Sequence, residues 1–142
     1  MRSLIADALE RGAQLQCGGD AMAGPGYFWQ PTVLTDVPED ARVMNEEPFG
    51  PLALINRAHS VDEALERANR LPYGLAAYAF THDSATRMHL ARGLQTGMLG
   101  INSLHVSMPE APFGGVKESG WGSECGIEGL QEYCSIKLIS ED

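Results

Sequence analysis

The chain holds 142 residues, the size of one domain and enough to bury a core. Apolar residues make up 44% and charged residues 20%, and no run approaches the roughly 20 apolar residues that a membrane-spanning helix needs, which argues against membrane-embedded, collagen-like and disordered chains. Ten Lys and Arg against nineteen Asp and Glu leave a formal charge of −9, the wrong sign for a protein that binds by neutralising phosphates, so nucleic acid is not an expected partner.

At the N-terminus, Leu4, Ile5, Ala8 and Leu9 fall on one helical face, and Gly12 stops that helix before a short strand over 13–17. Two arginines among acids and helical spacing do not resemble an export signal, and a reducing, cytoplasmic home is expected. Gly18-Gly19 turns the chain. Residues 27–34 are rich in aromatic and β-branched types but contain Pro31, which predicts an edge or bent strand. Residues 52–57 read as a buried strand. Ser60 with Glu63 three places on then forms a capping box for a helix whose apolar stripe is Val61, Leu65, Ala68 and Leu71. Pro72 and Gly74 end it, and 75–80 reads as the next strand. A second helix, capped near Asp83 and Ser84, turns Ala85, Met88, Ala91 and Leu94 inward, and 98–101 is strand again.

Strands alternating with helices of this length predict an α/β class with a largely parallel sheet. After residue 102 the pattern gives way to a long glycine-containing loop, which in a compact domain usually lines a site or an interface. Residues 135–140 alternate polar and apolar like an exposed strand, an adhesive edge that self-association would satisfy. The expected division is a main body over 1–134 and a terminal strand and tail over 135–142.

Few residues stand out for chemistry. Glu46 and Glu47, followed by Pro48-Phe49-Gly50-Pro51, admit two readings: a solvated acidic turn, or a carboxylate that accepts hydrogen bonds from vicinal ribose hydroxyls beside an aromatic ring that packs on a flat heterocycle. The four histidines, at 59, 82, 89 and 105, have no ligand spacing, so no metal site is expected. Neither a nucleophile elbow nor a phosphate-binding glycine loop is present. Cys17, Cys125 and Cys134 lack the electropositive setting of a reactive thiol, and the acids beside Cys125 and Cys134 raise a thiol pKa rather than lower it.

Asn45-Glu46-Glu47-Pro48-Phe49-Gly50-Pro51, LPYGLAAYAFT at 71–81, TGMLGIN at 96–102 and APFGGVKESGWGSE at 111–124 together resemble the C-terminal part of the NAD(P)-dependent aldehyde dehydrogenases, in the expected order and over nearly the whole chain. The resemblance implies the parallel-sheet portion of a catalytic domain, followed by an oligomerisation strand. It also implies a reaction in which a cysteine thiolate attacks the aldehyde, hydride passes to NAD or NADP, and a glutamate-activated water releases the carboxylate. By that resemblance Glu47 holds the nicotinamide ribose and Phe49 lies against the nicotinamide ring, while Ser107 and Phe113 face the aldehyde. The small polar loop over 101–115 is more similar to semialdehyde-oxidising members, such as succinate-semialdehyde dehydrogenases, than to members with aromatic-walled tunnels, and a hydroxyl at 107 suits a substrate carboxylate.

The resemblance also implies what the segment does not carry. The family's nucleophilic cysteine, general-base glutamate and cofactor-phosphate region precede the matched part, so no catalytic residue is assigned and the chain is expected to be inactive alone. The homo-oligomer contact falls on the terminal strand. The alternative is a non-catalytic α/β association module derived from the same family.

Overall fold

Helix α1 (Arg2–Glu10) forms because Leu4, Ile5 and Ala8 line one face, and all three are buried. Gly12, at φ 106°, ends it in a conformation that side chains rarely adopt. The computed structural model describes residues 1–142 and divides into two compact units, Met1–Ala58 and His59–Asp142, where the length suggested one body.

In the first unit, strands β1 (Gln14–Cys17), β2 (Thr32–Thr35) and β3 (Leu52–Ile55) form one sheet with β2 in the middle. β1 runs antiparallel to β2, while β3 runs parallel to it, from Thr32 opposite Leu52 to Thr35 opposite Ile55. The strand expected over 27–34 is corrected here. Pro31 does not sit inside an edge strand; it precedes a central strand that starts at Thr32, because a residue without an N–H interrupts pairing on both sides. Tyr27 and Phe28 lie exposed in the preceding loop, and Trp29 makes a single bridge with Ala21.

Thr32 and Leu34 point into a core completed by Leu4, Ile5, Ala8, Ala13, Val37, Ala41 and Val43. The buried Thr32 hydroxyl is fully used: it donates to Gln30 O at 2.8 Å and accepts from Gly19 N at 2.9 Å and Trp29 Nε1 at 3.2 Å. β3 is not the buried strand expected. As an edge strand with one covered face, it alternates half-buried Leu52 and Leu54 with exposed Ala53 and Ile55.

The second unit opens with α2 (Val61–Asn69), capped as expected by Ser60, whose Oγ accepts from Glu63 N at 3.1 Å. The Glu63 carboxylate closes the box one residue further out, accepting from the His59 N–H at 2.6 Å. Strand β4 (Tyr73–Gly74) pairs antiparallel with β7 (Val116–Lys117), and β5 (Ala76–Ala79) pairs parallel with β6 (Met98–Ile101). Between β5 and β6 lies α3 (Ser84–Gly93), capped by Asp83, which accepts from Thr86 N at 2.6 Å. The last helix, α4, spans Gly126–Gln131.

Helices α2 and α3 meet through small and polar groups: Leu65 against Gly93, Asn69 Nδ2 donating to Gly93 O at 2.8 Å, and His89 Nε2 2.6 Å from Asp62 Oδ1. Lys117, at φ 57°, sends its ammonium to Asn69 O and Leu71 O, 3.1 Å each, where α2 ends. A cation there meets the negative end of the helix dipole.

One expectation fails in this unit. Ala85, Met88 and Ala91 do not turn inward; α3 buries nothing and Met88 is 54% exposed, because no element of the unit packs on that face. Residues 135–140 pair with no strand of this chain, and Ile136, Leu138 and Ile139 stand exposed. The α/β class and the parallel pairing do hold, with antiparallel partners added at β1 and at β4–β7.

Candidate functional site

The acidic turn before β3 is built by the segment that follows β2. Ala41 and Val43 drop into the core, which folds 42–44 into a single 3-10 turn and leaves Arg42 on the surface. Asn45 ties the turn down, its Nδ2 donating to Glu39 O and Ala41 O at 2.8 Å each. Arg42 then reaches one turn forward and holds Glu46 with both ends of its fork, at 2.8 and 3.0 Å.

An ionic chain continues behind it. Asp7 accepts from the Arg42 backbone N–H at 2.8 Å and from Arg11 Nε at 3.0 Å, and Arg11 reaches Asp40 at 2.6 Å. The Arg42 guanidinium holds the Glu46 carboxyl below the usual carboxylate range, and the Arg42 backbone N–H does the same for Asp7. Arg42 and Arg11 are in turn held charged by these partners.

The two adjacent glutamates therefore differ in kind. Glu46 is spent on the turn, whereas the Glu47 carboxylate is exposed with no ion pair or side-chain hydrogen bond. Two residues on, Phe49 is 88% exposed, its N–H bonded to Glu47 O at 3.1 Å. A carboxylate with free lone pairs beside an open aromatic face accepts from paired hydroxyls and packs on a planar ring. The sequence left both glutamates open. Arg42 and Glu46 at i, i+4 spacing were the unread signal that assigns Glu46 to structure.

The expected substrate residues lie in the second unit, on the segment that leaves β6. Ser107 is exposed in the loop and Phe113 is half-buried. Phe113 exchanges two short backbone hydrogen bonds with Glu124, 2.7 Å each, so the start of the PFGG segment is pinned. A hollow of about 440 Å³ opens beside it, lined by Phe113, Ser119, Trp121, Ser123, Glu124 and Glu132 among others; Ser107 is not part of its wall. Gly97 must be glycine, since a Cβ there collides with the carbonyl of Gly114. The cysteines offer no nucleophile geometry: all three are exposed, Cys17 and Cys134 lie 3.8 and 3.6 Å from the carbonyls of Pro31 and Leu130, and Cys125 follows Glu124.

The sequence pattern of the aldehyde dehydrogenase family matches residues 1–139. The chain is 43% identical over 135 residues to "Succinate-semialdehyde dehydrogenase [NADP(+)] 1" of Mycobacterium ulcerans (strain Agy99), covering 95% of this chain and 30% of the relative. It is 45% identical over 139 residues to "4-(hydroxymethyl)benzenesulfonate dehydrogenase TsaD1" of Comamonas testosteroni, covering 98% of this chain and 29% of that protein. Among solved structures, succinate-semialdehyde dehydrogenase from Burkholderia pseudomallei superposes with a TM-score of 0.88 at 46% identity, over 93% of this chain and 27% of that one. The chain thus spans under a third of the length of the relatives it matches. With its fold and nearly all of its sequence matched, this protein belongs to the aldehyde dehydrogenase family.

Proposed function

We propose that the chain is the C-terminal part of a dehydrogenase that oxidises a semialdehyde, such as succinate semialdehyde, to the carboxylate with NAD or NADP. The observation that carries this reading is the division of labour in the acidic turn. Arg42 occupies Glu46 and leaves Glu47 free two residues before the open ring of Phe49, a hydrogen-bond acceptor and a flat apolar face that fit a nicotinamide riboside. A bound nicotinamide nucleotide supplies the hydride acceptor. Glu47 orients it by accepting from the ribose hydroxyls, and Phe49 covers one face of the ring and excludes water there. Ser107 donates to the carboxylate of the semialdehyde, and Phe113 walls the aldehyde chain.

No residue of this chain is assigned as nucleophile or general base. Alone, it reduces neither NAD nor NADP in the presence of aldehyde; turnover by purified chain would overturn that. In the assembled enzyme, the apolar surface of α3 and the tail is covered by the rest of the subunit or by a second copy, with 135–140 as the pairing strand. The cofactor assignment is tested by titrating the chain with nicotinamide mononucleotide and following backbone amide resonances. Shifts at Glu47 and Phe49 are expected. Glu47→Gln should abolish them, while Glu46→Gln should keep them.

The semialdehyde preference follows the names of the similar enzymes and the polar loop bearing Ser107. The compound in the name of the Comamonas relative, 4-(hydroxymethyl)benzenesulfonate, also pairs an oxidisable group with a negative charge. A hydroxyl at 107 serves either anion, so a carboxylate-bearing aldehyde should be preferred over an uncharged one of equal length in an enzyme containing this segment. Ser107→Ala should erase the preference.

A further inference from the structure

Both parallel strand pairs end in the same way. In the first unit the ladder between β2 and β3 closes with Thr35 opposite Ile55, and the next residue of β3's chain is Asn56. Its Oδ1 accepts from Val37 N at 2.7 Å and its Nδ2 donates to Val37 O at 2.9 Å. In the second unit the ladder between β5 and β6 closes with Ala79 opposite Ile101, and the next residue is Asn102. Its Oδ1 accepts from Thr81 N at 2.9 Å and its Nδ2 donates to Thr81 O at 2.9 Å. The offsets are identical: in each pair, the side-chain amide grips the residue two places beyond the partner strand's last rung.

A primary amide carries a donor and an acceptor side by side, the same pair of groups that a peptide unit presents to a neighbouring strand. Each asparagine therefore adds one side-chain rung to a ladder whose backbone has already diverged. Asn102 can do this because it sits at φ 52°, the left-handed region that asparagine tolerates better than most residues. Its own backbone N–H still reaches Ala79 O at 2.8 Å.

What the two rungs hold is the point. Val37 begins the segment that runs through the 3-10 turn to Glu46, Glu47 and Phe49. Asn102 begins the loop that carries Ser107 and Phe113. We propose that Asn56 and Asn102 are positioning residues: each uses its amide as an extra rung to fix where a site-bearing loop leaves its parallel strand pair, Asn56 for the cofactor loop and Asn102 for the substrate loop. The assignment of those loops rests on the reading in the previous subsection; the rungs themselves do not.

The experiment is residue-resolved amide exchange on the full 142-residue chain and four variants, with nicotinamide mononucleotide added in a second arm. Asn102→Gly removes the amide while leaving the backbone free to keep its conformation, and Asn102→Asp keeps the acceptor only. Protection of the Thr81 N–H should fall about tenfold in the glycine variant, the upper range for one net hydrogen bond, and be retained in the aspartate variant. The resonances of residues 103–112 should shift in both, while α2 amides stay unchanged. Asn56→Ala and Asn56→Asp should repeat the pattern at Val37 and residues 38–49.

Unchanged protection at Thr81 and Val37, or loss spread evenly through each unit, would overturn the proposal, since an ordinary stability loss moves all amides together. In the second arm, Asn56→Ala should weaken mononucleotide binding several-fold and Asn102→Gly should leave it as in the unsubstituted chain. No shift at Glu47 in the unsubstituted chain would sink the cofactor reading, and the exchange result would decide the rungs separately.

Discussion

The two units use similar parts to different ends. In Met1–Ala58 a central strand is flanked on both sides and covered by α1, so eight apolar residues come together out of water. In His59–Asp142 the same parallel pairing is made by two strands only, and Met98 is the one buried apolar residue, while Phe80, Leu130 and Ile136 stand in the open. A two-stranded parallel sheet is marginal by itself because this pairing is normally buried on both faces. The first unit is held by its core; the second is held by caps, glycine contacts and side-chain hydrogen bonds to backbone.

That contrast can be broken by substitution. Leu34→Ala, at the fully buried centre of the first unit, should cost about 2–5 kcal/mol in urea denaturation, whereas Met88→Ala on α3 should stay within about 0.5 kcal/mol. Equal costs would mean that the second unit has a hidden core. Gly97→Ala should cost about 1–3 kcal/mol in the second unit alone, since the added methyl drives into the Gly114 carbonyl, and resonances of 113–115 should move with it.

Smaller effects sharpen the same distinction. Ser60→Ala and Asp83→Ala each remove an N-cap and should cost about 1 kcal/mol, a larger share of the second unit's stability than any surface change makes in the first. Acid should act on both. Asp7 and Glu46 in one unit, and Glu63 and Asp83 in the other, are held below their ordinary values of 3.8 for Asp and 4.5 for Glu, Glu63 mainly by the His59 N–H and Asp83 mainly by the Thr86 side chain. A carboxylate with a lowered folded pKa binds protons more readily when unfolded. Its contribution is therefore present above the ordinary value and drains away as pH falls below it. Denaturation midpoints should be flat from pH 7 to 5 and fall below about pH 4.5, and Asp7→Asn should flatten part of the fall in the first unit.

What was legible in the sequence was local. Ser60 and Glu63 announce α2, and Asp83 announces α3, because a cap needs only a short-range side-chain bond to the backbone. What was not legible depended on the partner of an element. Pro31 reads as an edge marker until one sees that β2 begins immediately after it and is central. Met88 reads as inward because periodicity names a face without naming what covers it. The tail likewise has strand spacing but no ladder partner within the chain. At the candidate site the motif singled out the loop, and the resemblance chose Glu47. Only the Arg42 fork supplies a physical ground for setting Glu46 aside.

The close approach of Gly97 to Gly114 has a consequence for how this protein can change over generations. Position 97 follows α3, and position 114 belongs to the loop beyond Phe113, so 97 cannot acquire a side chain unless the backbone at 114 retreats, while a Cβ at 114 would press on the Gly122 carbonyl oxygen, 2.6 Å away. The turn that delivers β6 and the loop beyond Phe113 therefore have to change together. Substitutions within residues 103–112 leave that contact alone, but the turn before β6 is closed to drift.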